Sequence, residues 1–269
     1  MLRGGDLLYP TAGIFGAEPV NRFFQPARNR LYAEVIQELK AAKYDPEAHD
    51  DSWPERFFNQ YLERLVFHVR SQFHGGAVLV VPDELEADDS RLTDRLNIKY
   101  PADYGRVWDL LKASLVLHRR YYDKYFALSR GSVELTNDEY HAVWGLHSDR
   151  ENNAEQIADS VRAVSALSGV DGAILITNKY RLLGFGAEVI AFSPTLRVVK
   201  IAGAGSAAST QSVPIESYGT RHRAAFRFCS SFEDSVAVVV SQDGGVRVVK
   251  RVGRDVILWP DVNRGMLGL

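Results

Sequence analysis

The chain has a single cysteine, Cys229, so no disulfide can form within it, and a reducing compartment is the natural reading. It has no surplus of charge: Lys plus Arg is 32, Asp plus Glu is 34, and the formal net charge is −2. That balance argues against a partner recognised through overall charge, such as nucleic acid or an anionic membrane, and leaves only local patches. No apolar run is long enough to span a bilayer. The start, Met1 to Asp6, has no long apolar core behind it, so no signal peptide is expected. The expectation is a cytoplasmic protein without a membrane or nucleic-acid partner.

What is present is ordinary globular material. Of 269 residues, 46% are hydrophobic and 25% charged, enough for one large domain or two average ones with a buried core. The first thirty residues, with Pro10, Gly13, Gly16, Pro19 and Pro26, read as an irregular lead-in. Leu31, Val35 and Leu39 predict a helix over 28–42. A second helix is expected from Ser52 to about Phe73, with Ser52 as cap, Pro54 in the first turn and Glu55 as capping acid. Its stripe is Phe57, Tyr61, Leu65 and Val69. The run 75–82 reads as a buried strand, followed by an acidic loop and a helix over 104–129.

From about Asn152 the pattern changes. A helix over 154–168 leads to strands at 173–177, 181–189 and 196–202, then a Gly/Ala/Ser-rich loop over 203–218. A helix over 220–229, a strand over 235–241, a Gln242–Gly245 hairpin turn into 246–250 and a last strand over 256–259 complete the reading. The fold class is α/β: a C-terminal domain, 151–269, with a mixed central sheet flanked by helices, preceded by a smaller α/β domain, 1–150.

Two segments carry chemistry. Asp171-Gly172-Ala173 opens a buried strand, where an acid followed by two small residues lets a flat ligand approach the backbone; it is equally an ordinary Asp-Gly turn. Gly219-Thr220-Arg221-His222-Arg223-Ala224-Ala225 sits where a helix begins. A helix start presents free N–H groups, Thr220 can cap it, Arg221 and Arg223 offer guanidinium forks, and His222 is a further donor or metal ligand. Positive charge at a helix N-terminus is unfavourable unless an anion offsets it, so the pattern points to an anionic ligand. Elsewhere, His68, His74, His118, His141 and His147 show no metal-ligand spacing, and Tyr121 to Phe126 reads as helix packing. Cys229 reads as a buried structural thiol.

Together the two segments resemble the diadenylate cyclase family, whose marks are an Asp-Gly-Ala triplet at a strand start and an Arg-His-Arg triplet at a helix start. The resemblance covers about residues 152–258. It departs after the last core strand, where the family has Ser-Glu-Glu and this chain has Ser241-Gln242-Asp243. N-terminal to it, the Gly75-Gly76 strand and its helices look like a sensor-type domain.

The resemblance implies an enzyme that joins two ATP molecules into cyclic di-AMP, releases two pyrophosphates, and works as a face-to-face homodimer. It implies Asp171, Arg221, His222 and Arg223 as catalytic residues. Gly172, Ala173, Leu183, Gly219, Thr220 and Ser241 would bind nucleotide, and Mg²⁺ or Mn²⁺ would be held by Asp171, His222 and Asp243. The Ser-Gln-Asp departure leaves open an alternative: a nucleotide-binding sensor or effector without turnover.

Overall fold

The computed structural model describes residues 2–3, 6–7, 14–44, 52–129, 136–193, 195–202, 209–260 and 262. Strands β1 (Leu2–Arg3) and β2 (Asp6–Leu7) form a small hairpin. Helix α1 spans Glu18–Ala41 and α2 spans Ser52–Ser71. Strand β3 (Gly76–Val81), the short α3 (Ser90–Thr93), β4 (Leu96–Tyr104), α4 (Arg106–Ser129) and α5 (Asn137–Ala166) follow. Then come β5 (Ala173–Thr177), β6 (Leu182–Val189), β7 (Val198–Ala202), β8 (Ser209–Pro214) and α6 (Thr220–Ser231). Strands β9 (Val236–Val240), β10 (Val246–Val252) and β11 (Asp255–Trp259) complete the sheet among the described residues.

Nine strands make one mixed sheet in the order β4-β6-β5-β3-β9-β10-β11-β7-β8. The β3–β5 and β11–β7 pairs are parallel and the other neighbours antiparallel. Side chains alternate between two faces, as strand geometry requires. Val78 and Val80 of β3 join the core under α1, α2, α4 and α5. Ala77, Leu79 and Val81 join the opposite core, under α6 through Phe226, Phe228 and Cys229. Both faces are covered, which is why β3, β5 and β9 are continuous apolar runs.

Several sequence expectations change here. Helix α1 begins at Glu18, not near 28: Pro19 is tolerated in the first turn, and the stripe Val20, Phe24, Ala27, Leu31 carries the helix through Pro26. Strand β4 replaces part of the expected acidic loop; it lies at the sheet edge, where Pro101 removes no central ladder bond. The expected loop over 203–218 contains β8, paired antiparallel with β7. Helix α5 starts at Asn137 with a Thr136–Glu139 capping box, sixteen or so residues before its buried stripe begins at Asn153. The first half of α5 presents Tyr140 and Trp144 to solvent, so it has no core-facing period to read. The division at 150/151 therefore falls inside α5, and strands from both sides of it, β3 and β4 on one and β5 to β11 on the other, share one sheet.

Candidate active site

A cavity of about 460 Å³ opens on the α6 face of the sheet. It exists because small residues stand where neighbouring positions carry Val, Leu or Phe. Ala77, Ala173 and Ala187 form its floor on β3, β5 and β6, and Ala224 and Ala225 its wall on α6. Asp171 and Gly172 form one lip. Thr220, Arg221, Arg223 and Arg227 project from α6, and Lys99 and Glu188 come from β4 and β6.

Four cationic residues and two acidic ones thus line the cavity, and among the described residues Lys99, Arg223 and Arg227 have no ion-pair partner. The first turn of α6 has no side-chain cap: its N-cap is Gly219, in extended conformation, and Thr220 is the first helical residue rather than the cap. The helix start is left open toward an anion. Arg221 is anchored, donating from Nη1 to the His74 carbonyl at 3.0 Å. Thr220, Arg223, Ala224 and Arg227 follow helical spacing and share the cavity face.

Gly172 is required by the backbone. Its φ is +119°, and a Cβ there would lie 2.5 Å from the Gly186 carbonyl carbon. Strand β5 thus packs on β6 through glycine, where the register between them shifts.

Not all expected residues gather at the cavity. Asp171, Gly172, Ala173, Thr220, Arg221 and Arg223 do. His222 faces away, buried beneath the Tyr218 ring at 5.6 Å between centroids, with its Nε2 accepting from Arg247 Nη1 at 3.1 Å. Burial first, then the Arg247 charge, push its pKa down to about 4, against a weaker opposite pull from Asp243. It is a neutral packing histidine on the same stripe as Ala225, Phe226 and Cys229. Ser241 accepts from Arg247 through its hydroxyl, and Asp243 accepts from the Gly245 N–H at 3.0 Å within its own turn. Leu183 is buried in the core with Leu175 and Phe226, outside the cavity lining. Gly219 lies outside the cavity lining, and a Cβ there would meet nothing within 4 Å. Cys229 is fully buried, and burial pushes its thiol up to about 12, as a structural thiol requires.

The expected metal trio does not gather either. Only Asp171 reaches the cavity, and among the described residues no three His, Cys, Asp or Glu side chains form a metal-holding group. Asp171 and Glu188 are the carboxylates in the cavity lining, the hard oxygen donors that a divalent cation would use.

Lys99, Glu188 and Arg227 are the residues that sequence reading missed. Arg227 stood one helical turn beyond Arg223 and was there to be found. Lys99 and Glu188 depend on the pairing of β4 with β6, which places Asn97 opposite Glu188 and has no local signal.

The buried His222 makes stability depend on acidity. Its folded pKa lies below its unfolded one, so its contribution is full above about pH 6.5 and is lost as pH falls toward about 4. With solvent screening allowed for, about 1–2 kcal/mol is expected to disappear across that window. Urea unfolding of the parent and His222→Gln at pH 7 and pH 4.5 checks this: the variant should lose less stability on acidification than the parent.

No family model matches the chain, and no curated protein does. Among solved structures, the chain is similar to a hypothetical membrane-spanning protein from Bacillus cereus, at 13% identity over 91% of this chain and 76% of that one, TM-score 0.34. It is also similar to a double mutant of DacA from Staphylococcus aureus, at 15% identity over 79% of this chain and 91% of that one, TM-score 0.36. Neither likeness decides the fold or the activity. Among the described residues, no helix is long and apolar enough to cross a membrane.

Proposed function

We propose that the protein is a diadenylate cyclase, condensing two ATP into cyclic di-AMP and two pyrophosphates. The observation that carries this reading is the single cavity in which Asp171 faces the uncapped start of α6 with Arg221 and Arg223. The two motifs on which the family resemblance rests lie 50 residues apart in sequence and meet across that space.

In this reading the triphosphate lies along the start of α6. Arg221, Arg223 and Arg227 with the Thr220 hydroxyl bind its oxygens, while Lys99 lies on the opposite wall. Asp171 accepts the proton of the attacking 3′-hydroxyl as that oxygen bonds to the α-phosphate of a second ATP, and the bond to pyrophosphate breaks. Two such transfers close the ring, so two copies must present their cavities to one another, and the active form is a homodimer. A divalent cation, Mg²⁺ or Mn²⁺, would be held by Asp171 with Glu188 and the phosphates, where it supplies charge neutralisation. Positioning and charge account for the catalysis.

The test is mass spectrometry of products after incubation with ATP and Mg²⁺ or Mn²⁺. Cyclic di-AMP with two pyrophosphates per ring is the expected result. ATP binding without any product supports the second reading, a nucleotide-binding sensor or effector. That reading is favoured by one observation: Ser241 and Asp243 are engaged by Arg247 and the turn backbone rather than by the cavity. Failure to bind ATP at all overturns both.

A further inference from the structure

A second cavity, of about 210 Å³, lies on the other face of the sheet, between α2, α4 and α5. It is less than half the volume of the α6-side cavity, too small for a nucleotide. Its walls combine apolar surface, Leu111 of α4 and Ile157 of α5, with two arginines, Arg64 of α2 and Arg150 of α5. Neither arginine has a carboxylate partner among the described residues; Arg150 rests on the Tyr121 ring at 4.5 Å. Glu151 also lines the cavity.

A second observation points to a ligand. Tyr61 lines the same cavity and is 2% exposed, and its hydroxyl, beside that of Ser160, makes no hydrogen bond of ordinary geometry. The Ser160 hydroxyl donates to the Ile157 carbonyl at 2.8 Å, and its oxygen is a weakly placed acceptor for the Tyr61 O–H. A buried phenol so weakly met gains from a stronger acceptor placed in the cavity.

We propose that this cavity binds a small carboxylic acid bearing a hydrogen-bond donor, a free α-amino acid in the first instance. The carboxylate lies between the Arg64 and Arg150 guanidinium groups, the ammonium faces Glu151, and the side chain lies on Leu111 and Ile157. The Tyr61 hydroxyl donates to the carboxylate. The site joins α2 to α5, and both helices lead to the α6-side cavity. The segment after α2 carries the His74 carbonyl that anchors Arg221, and the turn after α5 runs into Asp171. Occupancy would therefore stiffen two supports of the other cavity from across the sheet.

The experiment is titration calorimetry of the full chain with the twenty protein L-amino acids, singly, and with the carboxylic acids that lack their α-ammonium group. At least one amino acid should bind saturably, and more tightly than its deaminated acid. Arg64→Met and Arg150→Met should each weaken that binding at least about tenfold. Glu151→Gln should erase the preference for the amino acid. Ala154→Leu, which fills the cavity from α5, should abolish binding while circular dichroism and thermal midpoint show a folded chain. Absence of saturable binding to any of the probes overturns the proposal. So does binding that both arginine variants and Ala154→Leu leave unchanged. A deaminated acid that binds as tightly as its amino acid overturns the role of Glu151. None of these readouts depends on turnover of ATP.

Discussion

Asp171→Asn is expected to lower cyclic di-AMP formation by about 10²- to 10⁴-fold while ATP binding is retained. Asparagine keeps the size of the side chain and removes its capacity to take a proton, so the loss should fall on turnover rather than affinity. Affinity for ATP measured without a divalent cation should rise slightly, because one of the two carboxylates lining the cavity loses its charge. Product mass spectrometry and calorimetry on the same preparation separate the two effects. Full turnover in the variant would move the base to Glu188, the other carboxylate lining the cavity, and Glu188→Gln would then carry the loss. Weakened ATP binding with an unchanged rate per bound ATP would make Asp171 a binding residue.

Gly172→Val is expected to unfold the protein or to destabilise it by more than about 3 kcal/mol. Two separate penalties meet at this position. A φ of +119° is one that a β-branched residue adopts only under strain. The added carbon would also stand 2.5 Å from the Gly186 carbonyl carbon, 2.8 Å from Gly186 Cα and 2.9 Å from Ala187 N. All three are backbone atoms of a paired strand, so no side chain can swing aside. Even Gly172→Ala carries both penalties, and its thermal midpoint should fall by about 10 °C. Thermal and urea unfolding of the two variants measure this, and wild-type stability in Gly172→Ala would show that β5 and β6 can separate at no cost. The glycine between Asp171 and Ala173 is thus tied to strand packing as closely as to any ligand.

Local chemistry was readable in the sequence wherever a signal was complete within one element. The strands that are apolar on both faces, β3, β5 and β9, announced themselves, as did the amphipathic stripe of α2. The start of α6 stood out because charge at a helix start has a local electrostatic meaning, and Asp171 was joined to it by the family resemblance. What the sequence hid depends on tertiary context. Pro19 and Pro26 read as part of an irregular lead-in, yet a first helical turn and a well-packed stripe each tolerate one. His222 read as a ligand because it stands between two arginines. Its spacing to Ala225, Phe226 and Cys229 already placed it on the buried side of α6. Leu183 fell into the core for a similar reason, since β6 has both faces covered along Leu182 and Leu183. Lys99 entered the cavity by a strand pairing that no short window of sequence encodes.

The placement of β3 also sets a schedule for synthesis. Val78 pairs with Ile174 on one side and Val238 on the other, so the central strand is made early and its second partner very late. At ribosomal speed the Gly76–Val81 segment waits on the order of ten seconds for β9, a long time for an uncharged apolar strand to remain unpaired. Helices α1 and α2 are already available in that interval to shield one face, while the hydrogen-bonding edges stay open. A fragment begun at residue 151 would never close this gap: β5 and β9 would each present a bare edge to the other's solvent side, an invitation to pair with a second chain and aggregate.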